Sequence, residues 1–305
     1  MRILFTGATG VLGTEALPMI LESVDDVTVV TRTEPEVERL RALGVRPVTI
    51  DLFDRDAVMA AARGMDTIVH FATAIPPQAA MTKRESWAMN DRLRSEATSN
   101  LVDAAIHRSA ERFIQQSVTF AYADGRDRWL DEDSSIEPVW DVLDSALTAE
   151  AHVDRFRATG GVGVVLRLAR LYGPGRASGD YIESVRNRKM PVLGNGANYV
   201  SSLHSHDAGT ALVAALTVRD GTYNVTDDQP VPASDFVGSL AQVLGAPSPR
   251  RVPAALGRLI VGKAAGLLTI SHRVSNERFK KATGWEPEYQ SVADGWAAIA
   301  HDRQE

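Results

Sequence analysis

Three glycines near the start of the chain are spaced to hold a phosphate. Residues 1–13 read MRILFTGATGVLG, with Gly7, Gly10 and Gly13 at intervals of three. A short apolar run (Ile3, Leu4, Phe5) precedes them, and an apolar helical pattern (Leu12, Ala16, Leu17, Ile20) follows. The glycines therefore fall between a strand and a helix N-terminus. Gly7 permits a tight turn, Gly10 lets backbone N–H groups approach a pyrophosphate, and Gly13 lets the helix pack closely on the strand. The helix dipole favours the anion. In this context the turn, with Thr9, Val11 and Leu12 completing it, predicts dinucleotide binding rather than an ordinary strand–helix corner.

Other groups able to do chemistry are fewer. Tyr122 follows Ser117 and Thr119 closely. The tyrosine is a candidate proton carrier, with Arg126 nearby to lower its pKa, or else a structural residue at a strand end. The two hydroxyls are candidate hydrogen-bond partners for a substrate carbonyl or a cofactor amide. The densest titratable cluster is His204-Ser205-His206-Asp207. In an extended segment both imidazoles would share a face, but Asp207 would point away and a third metal ligand is missing. No metal site is predicted; His204 and His206, with Tyr172, are candidate substrate contacts or lobe-packing groups. His70, inside an apolar run, reads as a buried, satisfied histidine. Asp131, Glu132 and Asp133 read as a solvated loop between Trp129 and Trp140. Without cysteine the chain has no disulfide, thiol nucleophile or thiolate metal site.

The elements that must position these groups alternate. Strands are predicted at residues 3–5, 27–31, 48–50, 67–71, 113–117 and 162–168, with helices between them, including one over 54–63 and a long one over 90–107. This alternation predicts an α/β Rossmann-type doubly wound parallel sheet. After about Leu171, prolines break the chain into short elements, among them a helix at 208–216, a strand at 222–225 and a helix at 233–244. The expected organisation is a dinucleotide-binding domain over 1–171 and a smaller C-terminal substrate-binding lobe over 172–305, with parts of 204–225 returning to the first domain. At the end of the second strand, Arg32 is placed to accept the extra phosphate of NADP; as a solvated surface charge it would leave NAD. Asp51-Leu52 is expected at the adenine, unless Asp51 or Asp54 caps the following helix. Phe71-Ala72-Thr73 is expected near the cofactor's phosphates and ribose. A net charge of −6 gives no basic footprint for nucleic acid. The most apolar later stretch, residues 253–270, carries Arg258 and Lys263 and is too broken to span a membrane. A cytoplasmic protein acting on a small molecule is the expectation.

These motifs, in this order, resemble the extended short-chain dehydrogenase/reductases of the NAD-dependent epimerase/dehydratase type. The resemblance runs from Ile3 to about Trp285 and rests on the glycine turn, Asp51-Leu52, His70-Phe71-Ala72, Asn100-Leu101 with Ala104-Ala105, Ser117, Leu166-Arg167, Tyr172-Gly173-Pro174-Gly175 and His204 to Asp207. It implies a nicotinamide cofactor, NADP or NAD, and a homodimer built on the helices around 90–107 and 145–159. It also implies a Tyr-x-x-x-Lys pair on the helix after the fifth strand, where lysine and the oxidised nicotinamide lower the phenol's pKa. The chain departs from the family here. Four residues after its tyrosines stand Arg126, Arg176, Val185, Leu203, Asp227 and Ala293, never lysine. The resemblance aligns Val142 with the tyrosine, Ala146 with the lysine, and Val118 with the usual hydroxyl. Three readings stay open: an atypical oxidoreductase or epimerase-like enzyme on a carbonyl, hydroxyl or sugar-type substrate; a non-catalytic NADP(H) sensor; and a non-redox isomerase, lyase or cyclase.

Overall fold

The computed structural model describes residues 1–24 and 26–301. Seven strands form the central sheet: β1 (Arg2–Thr6), β2 (Asp26–Thr31), β3 (Arg46–Thr49), β4 (Thr67–His70), β5 (Arg112–Val118), β6 (Val162–Leu168) and β7 (Gly221–Val225). Every pairing is parallel and the order is β7-β6-β5-β4-β1-β2-β3. The order reverses beside β1, the topological switch point where such sheets bind ligands beyond their carboxyl ends.

The apolar strands are covered on both sides. Ile3 and Phe5 face one layer with Val27, Val29 and Val69, under α1 (Val11–Leu21). Leu4, Val30 and Ile68 face the other layer, under α3 (Arg55–Ala61), α4 (Thr98–His107) and α5 (Asp144–Arg157). The α2 helix (Glu34–Ala42) follows β2. The Asp54 carboxylate caps α3, accepting from the amides of Asp56 and Ala57. The α6 helix (Ser205–Ala215) joins α1 on the first face, and β7 completes the sheet. A separate apolar core built on Ile182, Phe236, Leu240 and Trp296 organises the later segments.

Two elements depart from expectation. The helix predicted over 90–107 is broken by a π-helical turn at Leu93–Ala97. The wider turn leaves the Leu93 carbonyl to accept from Thr98 Oγ1, at 3.3 Å, and places it 3.3 Å from His70 Nε2. The helix predicted from Ala208 begins earlier, at Ser205, with His204 as its cap.

Candidate active site

The glycine turn lies against the end of β4. Gly7 has a φ of +87°, and a Cβ there would collide with the backbone of Phe71 and Ala72. A Cβ on Gly13 would strike Ala8 and the Gly7 carbonyl. Gly10 caps α1 without a side-chain hydrogen bond, and no acidic residue stands in the first turn. The α1 amides thus face outward with neither a capping side chain nor a repelling charge, which fits a dinucleotide pyrophosphate. Phe71 packs edge-on against Phe5 at 6.2 Å, and the amide of Ala74 donates to Asn90 Oδ1 at 3.2 Å.

The end of β2 holds a residue that sequence reasoning missed. Thr31 donates to Glu36 at 2.6 Å. That bond holds the Glu36 carboxyl below its usual range, against the opposing effect of burial, and the hydroxyls of Thr33 and Thr9 add to it. Glu36 therefore joins α2 to the glycine turn as an anion, while Arg32 is exposed. Asp51 is exposed and accepts from the Phe53 amide at 2.9 Å; the Leu52 carbonyl accepts from Asn100 at 3.0 Å. The early acidic residue of α2 was the available signal, but only the fold brings it to Thr9.

The end of β5 differs from expectation. Ser117 is fully buried and donates to Glu150 on α5 at 2.5 Å. Glu150 is clasped by Arg167, at 3.0 Å from Nε and 2.6 Å from Nη2. Tyr122 is also fully buried; its hydroxyl donates to Asn224 at 2.8 Å and accepts from Arg167 at 2.9 Å. Burial raises its pKa despite the Arg167 charge. Arg126, expected to lower that pKa, is exposed and takes no part. The Tyr122 hydroxyl is thus bonded within the protein on both sides. Thr119, by contrast, lines a narrow cleft with Phe120 and Arg170.

Val142 stands in the 3-10 turn Asp141–Leu143 that leads into α5, and Ala146 in the first turn of α5; both are fully buried. Val142 packs with Trp87, Trp140 and Leu143, and Met81, Val118, Phe120 and Leu267 complete the cluster. The two indoles meet edge-to-face at 6.0 Å. Ser145 Oγ, next to Ala146 in sequence, and Asn90 Nδ2 and Arg94 Nε, on the segment before α4, are buried polar atoms with no hydrogen-bond partner among the described residues. Burial lowers Arg94 to about 10, against attraction from Asp91 and Glu150.

The remaining candidates lie in lobe packing. Tyr172 is fully buried and donates to the Ser291 carbonyl at 3.2 Å. The His204 ring meets Tyr172 and Tyr289 at 5.2 and 4.1 Å, and its Nδ1 accepts from the His206 amide. His206 sits in the first turn of α6, 3.1 Å from Glu288. The two imidazoles therefore do not share an extended strand. Asp207 turns away to accept from the amides of Glu288 and Tyr289. Among the described residues no cluster has the makings of a metal site, and no helix is long and apolar enough to cross a membrane.

A sheet with this order, bearing a glycine turn at its switch point, defines a dinucleotide-binding α/β protein. A model of the NAD dependent epimerase/dehydratase family matches residues 3–226, and the chain belongs to that family. It is 35% identical to the 3-diazoavenalumate denitrifying reductase of a Streptomyces species, over 97% of this chain and 99% of that one. Its fold matches that of DesIV, a dTDP-glucose 4,6-dehydratase from Streptomyces venezuelae with NAD and TYD bound, at a TM-score of 0.82 and 21% identity, covering 100% of this chain and 97% of that one. The human epimerase family protein SDR39U1 with NADPH matches at 0.79 and 20% identity, covering 99% and 100%.

Proposed function

We propose that this protein is an NAD(P)H-dependent reductase of a small aromatic acceptor whose reduction draws no proton from a tyrosine–lysine pair. A nicotinamide cofactor held at the glycine turn supplies the hydride. The observation that carries the reading is Val142, buried among indoles and aliphatic groups where the family resemblance expects a phenol. A carbonyl that takes up hydride becomes an alkoxide and calls for a general acid. An aromatic diazo group does not. Hydride uptake breaks the carbon–nitrogen bond, dinitrogen leaves, and the ring keeps the hydrogen; a neutral ortho-quinone diazide becomes a phenolate. Charge and atoms balance without a proton. The apolar walls suit a ring, and the name of the 35% identical denitrifying reductase supports the same chemistry here.

In this reading the chain's own residues position and exclude. Trp87, Trp140 and Val142 keep water from the reacting face, and Thr119 offers a hydroxyl beside it. Arg32 draws the 2′-phosphate of NADPH, and ionised Glu36 limits that preference by opposing it.

The test is NADPH oxidation at 340 nm with an ortho-quinone diazide labelled with ¹⁵N, and dinitrogen followed by mass spectrometry. One labelled dinitrogen per NADPH consumed is expected. Cofactor binding without turnover would favour a sensor, and product without NADPH oxidation a non-redox enzyme.

A further inference from the structure

Among the described residues, Arg170 has no carboxylate in ion-pair contact, and it is half-buried. It begins the short strand Arg170–Tyr172, where the chain leaves the sheet for the lobe. The hydrogen bonds of its guanidinium among the described residues are two long ones, 3.5 Å to the Tyr181 hydroxyl and 3.5 Å to the Leu267 carbonyl. Two rings hold it otherwise, Phe120 at 5.2 Å and Phe236 at 5.8 Å. Most of its five donors meet no protein acceptor among the described residues. Arg167, three residues earlier, is closed bidentately on Glu150. The fold builds a carboxylate partner for one arginine and leaves the other open.

The surroundings of Arg170 say what would complete it. It lines the narrow cleft with Thr119, Phe120, Tyr199, Ser201, Leu267 and His272, and among the described residues it is the one permanently charged member of that lining. Burial lowers the pKa of His272, whose Nε2 lies 3.0 Å from the Tyr122 carbonyl, so that ring is neutral. Phe120 and Leu267 also belong to the apolar cluster around Val142. Cleft and cluster therefore share Phe120 and Leu267, with the cation on one side of them and the indoles packed on the other.

We infer that Arg170 binds the carboxylate of a substrate whose body is a flat, apolar ring. The planar guanidinium matches a carboxylate with two parallel hydrogen bonds, and the aromatic walls match the ring. A phosphate monoester would bring nearly two charges to one cation. What becomes of the bound acid rests on the reductase reading, whereas the binding does not.

Tryptophan fluorescence and thermal shift, with and without NADP⁺, read binding without turnover. The probes are benzoate, cinnamate and 2-naphthoate, each against its methyl ester, with phenyl phosphate as a third arm. The acids are expected to bind at least about tenfold more tightly than the esters. Arg170→Met is expected to erase the difference while cofactor-dependent stabilisation persists, and Arg170→Lys to keep part of it. Equal affinity of acid and ester, a preference that survives in Arg170→Met, or tighter binding of phenyl phosphate would overturn the inference. If Arg170→Met does not fold, the wild-type acid-to-ester ratio and Arg170→Lys decide. Binding of acids by a protein that never oxidises NADPH would sink the reductase reading alone.

Discussion

The Ser117 hydroxyl donates to the Glu150 carboxylate at 2.5 Å, tying the end of β5 to α5. Arg167 grips the same carboxylate, and the two side chains of the ion pair are only 9% and 12% exposed. The helix that carries Ala146, with Val142 in the turn leading into it, is thus anchored to the sheet by a buried ion pair. Removing one partner of such a pair strands the other charge and costs about 3–5 kcal/mol. Glu150→Ala is expected to lower the unfolding free energy by about that much, and Glu150→Gln by less, in urea denaturation. A loss under about 1 kcal/mol would mean that Arg167 finds another acceptor.

Tyr122→Phe separates structure from catalysis. The variant loses bonds to Asn224 and Arg167, and a cost of about 1–3 kcal/mol in stability is expected. Turnover measured below the melting transition is expected to change little. A fall of about 10²–10⁴-fold in kcat, the range for a lost general acid, would restore Tyr122 as the proton carrier.

On the proposed reading, Arg32 and Glu36, opposite charges by the end of β2, set the cofactor choice. Glu36→Gln removes the anion held by Thr31 and is expected to raise the NADPH-to-NADH ratio of kcat/KM by about tenfold. Arg32→Ala is expected to lower it. An unaltered ratio in both variants would remove these residues from the cofactor's ribose.

Two buried groups give stability a definite pH dependence. Burial depresses His70 from 6.5 to about 4, so the unfolded chain binds more protons and stability falls as pH drops from 6.5 towards 4. Burial pushes the Asp227 carboxyl up to about 8 from 3.8; its contribution is present at low pH and is lost as pH rises through 8. The two slopes oppose below 6.5, and Asp227 acts alone of the pair above it. Urea denaturation is expected to show stability falling by up to about 2 kcal/mol between pH 6.5 and 8, with Asp227→Asn flattening the curve. A flat wild-type curve, or a fall that survives the substitution, would contradict this.

The sheet was legible in the sequence because its signals are local. Apolar runs such as VTVVT at 27–31 and the glycines at 7, 10 and 13 state their own conformation. The site was half legible for the opposite reason. Glu36 matters because it meets Thr9 and Thr31, and Arg167 because it meets Glu150 and Tyr122. Such partners are chosen by strand order and helix placement, which no local pattern records. Tyr122 kept two readings because a tyrosine near two hydroxyls looks the same in sequence whether its phenol faces a pocket or Asn224. The histidines kept two readings because a shared face requires a strand, and a helix begins at Ser205.

The pH dependence of the hydride-transfer rate tests the central claim most directly. Single-turnover oxidation of NADPH, and of its deuterated form at the transferring position, is followed with an ortho-quinone diazide across about pH 6 to 9. The account predicts a primary isotope effect from the deuterated cofactor and a rate that changes by less than about twofold over that range, with no solvent isotope effect. A rate that falls about tenfold per pH unit along one limb, together with a solvent isotope effect, would place a side-chain acid in the transition state and contradict it.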